Sequence, residues 1–383
     1  MEATETQRTQ LAHYWRRVSM DRESAYDLWL DSLGLPVHKG YYVEDVRTIE
    51  LGNWEERECR AAFLKLRGQE GVTEARVTEI PSGATLPSMR FALDEIVYVA
   101  EGRGLTTVWA EDGGKKHTFE WEKHSLFMIP RNFAHQFSNV QGHQPARLFH
   151  YNYLPVSLSI VPEPTFFFNN KYFNPDFMSS LEDDWYSEAK IIQPSEESRS
   201  RMAFWVGNFF PDMRAWDNLV PFRGRGAGGH VVWIRYPTST MTNHMSVFPS
   251  GTYKKAHRHG PGVVIIIPSG EGYSVMWPEG EERVVCPWHE GSVFVPPDQW
   301  FHQHFNAGAD PARYLAFHGP PSLSAYSSER VRNRERDQIE YPNEDPWIRQ
   351  TFEAELAKRG LKTAMVEEAY QDANYEWTYT GDN

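Results

Sequence analysis

Short apolar segments alternate with polar turns along two stretches of the chain. They are rich in β-branched and aromatic residues and are bounded by Gly, Pro or Asp, a composition that predicts β-strands. Many short strands at close spacing are typical of a sandwich or a barrel. The pattern therefore predicts an all-β fold. The clearest segments are TTVWA, SLFMIP, VVIIIP, YSVMW and SVFVPP.

Two segments outside the strand-rich stretches have features of helices. Gln7 to Leu33 has apolar residues at helical spacing, which predicts an N-terminal helix. A second helix is predicted from about Pro346 to Arg359, because the sequence Asn-Glu-Asp-Pro at its start is typical of a helix N-terminus. Residues 155–225, which join the two stretches, are strongly aromatic. We expect this connection to pack on a barrel face, with a lid over a pocket as the alternative.

The two strand-rich stretches are copies of each other. Residues 80–83 (IPSG) recur as 248–251 (FPSG), FAHQFSN recurs as FHQHFN, and PARLFHY recurs as PARYLAFH. Blocks that recur in one order at a nearly constant offset indicate a duplicated domain. The predicted organisation is a helical lead-in (1–75), a first barrel (76–155), an aromatic connection (156–228), a second barrel (229–322) and a C-terminal extension with a helix (323–383).

The second copy contains three histidines suited to metal binding. His257 and His259 are two residues apart on a predicted strand, so both side chains point to one face of the sheet. His302 belongs to a strand that we expect to cross nearby. A lone buried histidine is more often a satisfied core residue. A pair at this spacing with a third imidazole instead predicts a metal site.

The spacing around these histidines resembles the cupin superfamily. Residues 251–270 follow the first cupin motif, with Val263 where that motif has a ligand Glu. Residues 291–306 follow the second motif, with Gln299 where that motif has Gly. The resemblance implies tandem double-stranded β-helix barrels, the cupin jelly roll, to which the residue pattern adds N- and C-terminal helices.

The first copy has lost most of these ligand positions. Met89 and Phe91 stand where the second copy has its paired histidines, so only Glu95 and His135 remain. Two protein ligands rarely hold a divalent ion. We therefore expect the first barrel to be structural.

Three neutral imidazoles leave the charge of a bound metal uncompensated, which favours an anionic substrate. A facial triad also leaves open coordination positions. The arrangement resembles that of three-histidine cupin dioxygenases of the gentisate, salicylate and diketone-cleaving types. The gentisate-type enzymes hold their metal in the first barrel, so their substrate is not transferred to this chain.

The resemblance implies non-haem Fe(II), with Mn, Ni or Zn as alternatives, and dioxygen as co-substrate. The expected reaction cleaves a carbon–carbon bond of a small anionic phenolic or dicarbonyl metabolite. Two alternatives stay open. One is a non-oxidative cupin metalloenzyme, namely a lyase, isomerase or decarboxylase, and the other is a non-catalytic bicupin that binds a metabolite.

Three further residues are candidates for catalysis. His304 shares the face of His302 and could act as a general base, bond a ligand or supply a fourth imidazole; a packed histidine is the alternative. Tyr253 shares the parity of His257 and is expected at the pocket mouth. Arg313 is a candidate clamp for a carboxylate, with a surface ion pair as the alternative.

The composition of the chain excludes several classes of binding partner. A net charge of −13 argues against nucleic acid and anionic membranes as partners. The two cysteines form no disulfide framework, the polar N-terminus does not look like a signal peptide, and no apolar run of about 18 residues occurs. We therefore expect a cytoplasmic protein and, since cupins often assemble, a homo-oligomer (a dimer or a tetramer).

Overall fold

The computed structural model describes residues 23–110, 114–172, 184–187, 189–195, 202–215, 219–319 and 334–379. Within these ranges strands dominate and helices are few, which confirms the all-β prediction. The predicted helix from Gln7 lies outside the described residues as far as residue 22, and the second predicted helix begins at Pro346. The described helices are α1 (Ala25–Leu33), α2 (Leu154–Ile160), α3 (Pro164–Phe167), α4 (Arg334–Asp337) and α5 (Pro346–Lys358).

None of these helices is long and apolar enough to span a bilayer. Cys59 and Cys286 are both buried, and they form no disulfide with each other.

The strands before residue 153 belong largely to the first copy of the repeat. In chain order they are β1 (Val37–Gly40), β2 (Tyr42–Val43), β3 (Gly52–Trp54), β4 (Cys59–Leu66), β5 (Glu74–Ile80), β6 (Met89–Arg90), β7 (Glu95–Glu101), β8 (Arg103–Trp109), β9 (Lys116–Glu122), β10 (Leu126–Ile129), β11 (Ala134–Asn139) and β12 (Ala146–Asn152).

The later strands come from the connection, the second copy and the C-terminal extension. They are β13 (Lys190–Ile192), β14 (Phe204–Val206), β15 (Phe209–Phe210), β16 (Val220–Pro221), β17 (His230–Arg235), β18 (Thr242–Phe248), β19 (Ala256–His257), β20 (Val264–Ser269), β21 (Gly272–Trp277), β22 (Val284–Trp288), β23 (Val293–Phe294), β24 (Phe301–Asn306), β25 (Ala312–His318) and β26 (Gln338–Ile339).

Each copy folds into a barrel of two facing sheets with the same strand order. In the first barrel, the path β5-β12-β7-β10 forms most of the larger sheet and β6-β11-β8-β9 forms the smaller one. In the second barrel, the corresponding paths are β18-β25-β20-β23 and β19-β24-β21-β22. The tandem jelly-roll prediction is therefore confirmed. Apolar side chains fill the first barrel, including Phe63, Val97, Val99, Phe127 and Leu148.

Each of the two larger sheets is extended by a strand from a segment outside the barrels. Strand β2, from the N-terminal region, pairs with β23 of the second barrel, and β15, from the connection, pairs with β10 of the first. The outer faces of the two larger sheets also pack together, where Phe317 lies 5.4 Å from the ring of Phe149 and 5.3 Å from that of Tyr151. Both barrels thus share one continuous apolar core.

The C-terminal extension covers the outer face of the smaller sheet of the second barrel. Phe352 of α5 packs against Tyr253 and Phe305, with ring centroids 5.0 and 5.6 Å away. Beside them, Glu344 accepts hydrogen bonds from the Tyr253 hydroxyl and, at 3.2 Å, from the Gln303 amide. The extension therefore supports β24 from the side that faces away from the barrel interior.

The Glu344 carboxyl makes this contact dependent on pH. Burial raises the pKa of Glu344 to about 7, so its protonated form stabilises the fold below about pH 4.5 and this contribution is lost as the pH rises through 7. Glu344→Gln keeps a neutral group and can donate to the Gln303 oxygen, which has no partner here. We expect this variant to be more stable than the wild type at pH 8, by about 1–3 kcal/mol.

Urea unfolding at pH 5 and pH 8 measures this effect. The stability difference between variant and wild type should nearly vanish at pH 5. The control is Glu353→Gln, in a more exposed pair with Arg349. If Glu344→Gln and Glu353→Gln show the same pH dependence, the buried carboxyl is not responsible.

Candidate metal centre

Three imidazoles converge on the inner face of the smaller sheet of the second barrel. His257 lies on β19 directly opposite His302 of β24, and their rings are 4.2 Å apart. His259 follows β19, with its ring 4.6 Å from that of His302. One ring nitrogen from each residue lies within 4.8 Å of the other two. The three histidines that the sequence singled out are therefore brought together.

Backbone carbonyls orient all three rings. The Nδ1 atoms of His257, His259 and His302 lie 3.4, 2.7 and 3.2 Å from carbonyl oxygens of nearby residues. Because a carbonyl can only accept a hydrogen bond, each Nδ1 carries the proton and each Nε2 keeps its lone pair. Such outer contacts are typical of histidines that ligate a metal.

The chemistry of the donor set fits a divalent metal. Burial lowers the pKa of His257 and His302 well below the usual range, so both imidazoles are neutral and able to donate. Val263, where cupins have a ligand Glu, is buried and apolar, and it lines the same cavity. Because these three neutral nitrogens bring no carboxylate, they would leave the positive charge of a bound metal uncompensated, which favours an anionic substrate.

The loop that carries Gln299 is tied to His259. The backbone N–H of Gln299 donates to the carbonyl of His259 at 2.9 Å. Gln299 has φ 59°, and Asn132 at the same motif position of the first copy has φ 63°. This left-handed conformation favours glycine, which explains the motif residue. The departure from glycine therefore does not change the shape of the loop.

The three histidines open onto a cavity of about 430 Å³. Aromatic and apolar side chains form much of its wall, among them Phe204, Phe222, Trp233, Val263, Ile265 and Tyr314. A largely apolar wall with a few convergent polar groups is typical of a site for a small molecule.

Cations outnumber anions on the cavity wall. Arg225, Arg235 and Arg258 line it, and Asp337 is the acidic residue among the described lining residues. Asp337 already pairs with Arg258 at 3.2 Å, while Arg225 donates to the Gln338 side chain at 2.6 Å. The cavity is therefore positive in a chain of net charge −13.

Tyr253 does not line the cavity, contrary to our expectation. Tyr253 pairs with Phe305, whereas His257 pairs with His302, so four steps on one strand match three on the other. This bulge turns Tyr253 to the opposite face of the sheet, where it stacks on Phe305 at 4.8 Å. Lys255 also points outward, to Glu340.

The bulge instead turns Lys254 into the barrel. Its Nζ donates to the Ser246 hydroxyl and, at 3.3 Å, to the Tyr314 hydroxyl. It also lies 4.9–5.3 Å from the ring centroids of Phe222, Phe248 and Tyr314. Burial and nearby Arg225 lower the pKa of Lys254 well below its usual range. Strand parity does not predict this position of Lys254, because parity holds only for a regular strand without a bulge.

Arg313 also lies outside the cavity. Tyr314, Ala316 and His318 of β25 line the cavity, so the odd-numbered Arg313 points to the opposite face of the strand. There its guanidinium lies 4.0 Å from the sulfur of Met245. The expected clamp residue therefore points away from the cavity, which Arg225, Arg235 and Arg258 line instead.

His304 does line the cavity, as its parity with His302 predicts. Its Nδ1 lies 2.8 Å from the Ser274 hydroxyl, which also accepts from the Trp288 indole at 3.1 Å. Its ring lies 5.6 Å from His302 and 5.0 Å from Tyr314. His304 is not among the three residues whose ring nitrogens converge.

The larger sheet contributes residues that the motifs did not reveal. His244 on β18 and His318 at the end of β25 both line the cavity and are hydrogen-bonded to each other. Trp233 of the neighbouring β17 packs against both rings. Parity along β25 could have placed His318, but β17 and β18 precede the motifs and carry no recognisable signature.

The first barrel holds an ion-pair network where the second has its histidines. Glu95 accepts from Arg76 at 2.5 Å and from Asn152 at 3.2 Å, and it lies 3.0 Å from His150 Nδ1. Burial alone would raise the pKa of Glu95, but Arg76 and His150 hold it well below its usual range. The carboxylate is thus engaged by protein cations, and Met89 is buried in the apolar core of this barrel.

Comparison with known proteins supports the cupin assignment. Residues 60–151 match the family model described as Cupin. No curated protein matches the chain. A Lactobacillus farciminis oxalate decarboxylase in complex with formate is 14% identical, with a TM-score of 0.47 over 73% of this chain and 86% of that one.

A Bacillus subtilis oxalate decarboxylase variant is 12% identical, with a TM-score of 0.46 over 72% of this chain and 76% of that one. Another structure of the Bacillus subtilis enzyme, described by its Mn(II) centres, is 11% identical, with a TM-score of 0.45 over 75% and 78%.

These findings correct the expected reaction. The solved structures are of decarboxylases, not dioxygenases, so the expected carbon–carbon cleavage by a dioxygenase is corrected. The non-oxidative alternative is the hypothesis that agrees with the comparisons.

Proposed function

Given a cupin domain at residues 60–151, we propose that the chain is a non-oxidative metalloenzyme whose second barrel acts on a small carboxylate. His257, His259 and His302 would hold one divalent metal. The reaction belongs to the lyase, isomerase or decarboxylase class. We also propose a homo-oligomer, a dimer or a tetramer, which light scattering would measure.

One observation carries this proposal. The three Nδ1 atoms face backbone carbonyls, which leaves three neutral Nε2 lone pairs turned toward one another. Histidines that served only to fill the core would not need this common orientation. Imidazoles of this kind accept Mn, Fe, Co, Ni or Zn, and elemental analysis would identify the metal.

The charge of the cavity favours a carboxylate as substrate. The guanidinium of Arg225 lies near enough to lower the pKa of His244, Lys254 and His257. A planar guanidinium can donate two parallel hydrogen bonds to a carboxylate. Arg225 would therefore orient the anion beside the histidines, and the aromatic wall would exclude water.

Groups that can donate or accept a proton lie on the wall of this cavity. A bound divalent ion would supply Lewis acidity, which weakens bonds next to a coordinated carboxylate. The chain itself offers the imidazole of His304 and the hydroxyl of Tyr314, both on the cavity wall. The Tyr314 hydroxyl keeps its proton, because burial raises its pKa to about 12. Tyr314 can thus donate a hydrogen bond to an anionic reaction intermediate.

Anaerobic turnover tests the proposal. The protein, loaded separately with Mn, Fe, Co, Ni or Zn, is incubated without oxygen with a panel of small 2-oxo, 2-hydroxy and dicarboxylic acids. Product formation is followed by NMR. We expect at least one acid to be converted and conversion to be abolished in His257→Ala. Conversion that requires oxygen, or no conversion by any metal form, would contradict the proposal.

Two arginine variants sharpen the test. Arg225→Gln is expected to raise KM for the carboxylate by about 10- to 100-fold, the value of a lost charge-assisted hydrogen bond. Arg313→Gln, on the opposite face of β25, is the matched control and should leave KM unchanged. Equal effects of the two variants would show that Arg225 does not contact the substrate.

A further inference from the structure

A pair of hydrogen-bonded imidazoles lies on the sheet that faces the metal-binding histidines. His244 Nδ1 and His318 Nε2 are 2.8 Å apart. Trp233 flanks both rings, with centroids 5.0 and 5.4 Å away, and the Tyr314 ring meets His244 edge-on at 5.5 Å. Both histidines line the cavity that the metal site opens onto.

The hydrogen bond fixes how this pair can carry protons. A distance of 2.8 Å between two ring nitrogens requires that one of them donates and the other accepts. If His244 Nδ1 carries the proton, then His244 Nε2 has a lone pair and His318 Nδ1 carries a proton. If His318 Nε2 carries the proton, these roles are reversed. We call His244 Nε2 and His318 Nδ1, which lie outside the shared hydrogen bond, the outer nitrogens. In either state one outer nitrogen accepts a proton and the other donates one.

Such a pair can pass on a proton without holding a net charge. A proton that arrives at the accepting outer nitrogen displaces the shared proton across the hydrogen bond. The proton on the other outer nitrogen then leaves, and both rings are neutral before and after. This exchange converts one of the two states into the other.

The surroundings of His244 favour proton transfer through a neutral pair over protonation of His244 to an imidazolium. The titratable and charged groups that act on His244 are Arg225, Lys254, His259 and His318. Burial, and then these groups, lower the pKa of His244 well below its usual range. Asp337, the acidic residue of the described cavity wall, is engaged by Arg258 and Arg336. An imidazolium at His244 is therefore disfavoured, whereas transfer through a neutral pair is not.

We propose that His244 and His318 form the acid–base pair for the molecule held beside His257, His259 and His302. The inference rests on the proposed function, and the ligand class is a carboxylate with an acidic C–H or O–H next to its carboxyl group. The accepting outer nitrogen takes that proton, and the electrons of the broken bond stay on the substrate. The other outer nitrogen returns a proton to the product or to water.

The first test is NMR of protein labelled with 15N in its histidines, without any substrate. The two signals, assigned by their loss in His244→Gln and His318→Gln, should show one proton shared between the rings. In each variant the remaining imidazole should lose this shared-proton signal. Two rings that share no proton in the wild type would overturn the pair.

The second test is exchange of substrate C–H for deuterium in D2O, with acids from the anaerobic panel. His244→Gln and His318→Gln should each slow exchange by about 100-fold or more, with metal content and melting temperature retained. His230→Gln is the matched control, because His230 lies on β17 beside Tyr379 and is not a lining residue of the cavity.

The outcomes separate this inference from the proposed function. If His244→Gln and His318→Gln exchange at the wild-type rate, the acid–base pair is wrong and the proposed function stands. If the metal-loaded wild type neither exchanges nor converts any acid, both fall. Should one variant fail to fold, the other still assigns one ring, the shared proton identifies its partner, and the NMR measurement on the wild type decides.

Discussion

Replacing His302 with alanine is expected to abolish metal binding. The wild type should bind about one divalent ion per chain, and the variant should retain almost none. His302 lies between the other two histidines, with rings 4.2 and 4.6 Å away, so its loss leaves a pair that is 5.9 Å apart. Divalent ions in such sites usually have at least three protein ligands. Elemental analysis after dialysis measures the loss.

The control for this experiment is His38→Ala. His38 lies on β1 and contacts the carbonyl of Glu50, outside the cavity. It should leave the metal content unchanged. Full metal content in His302→Ala would mean that the ion binds elsewhere in the chain, and the proposed site would be wrong.

Replacing Glu95 with alanine is expected to destabilise the first barrel severely. The change removes the carboxylate that Arg76 contacts at 2.5 Å, where both side chains are almost fully buried. Breaking one side of a buried ion pair usually costs about 3–5 kcal/mol, because the other charge is left without compensation. Arg76 keeps a contact to Glu74, which places the expected loss nearer the lower end. Urea unfolding measures it as a lower midpoint.

Two further variants separate charge from packing. Glu353→Ala, in a partly exposed pair with Arg349, should cost about 0.5 kcal/mol or less. The triple variant Glu74→Gln, Arg76→Met and Glu95→Leu removes all three buried charged groups and should recover part of the stability lost in Glu95→Ala. A single variant as stable as the wild type would show that the network contributes nothing.

The sequence predicted what depends on motif spacing and failed where a strand departs from regular geometry. Motif spacing predicts the duplicated barrels and the convergence of His257, His259 and His302, and both features are present in the structure. Tyr253 was misplaced because a bulge shifts the register between it and His257. The residue pattern does not reveal a bulge of one residue. Strand parity therefore assigns every side chain on the N-terminal side of the bulge to the wrong face of the sheet.

Other parts of the site depend on contacts between distant segments. Arg225 ends the connection that was expected on a barrel face or over a pocket, but no motif singles out its side chain, and its partner Gln338 lies 113 residues further on. The role of Glu95 was equally hidden, since Arg76 and His150 lie on two other strands. Residue types alone do not predict ion-pair or hydrogen-bond partners that are distant in the sequence, because only the fold brings them together.

The crossing of β2 and β15 has a consequence for any attempt to study the halves separately. A gene fragment that ends after the first barrel would lack the strand that closes its sheet at β10, and a fragment that begins at the second would lack the one at β23. Each half would expose a bare sheet edge and the apolar face that the other half covers, which invites aggregation. We therefore expect each half to aggregate when it is produced alone, so the barrel that carries the three histidines is best studied in the whole chain.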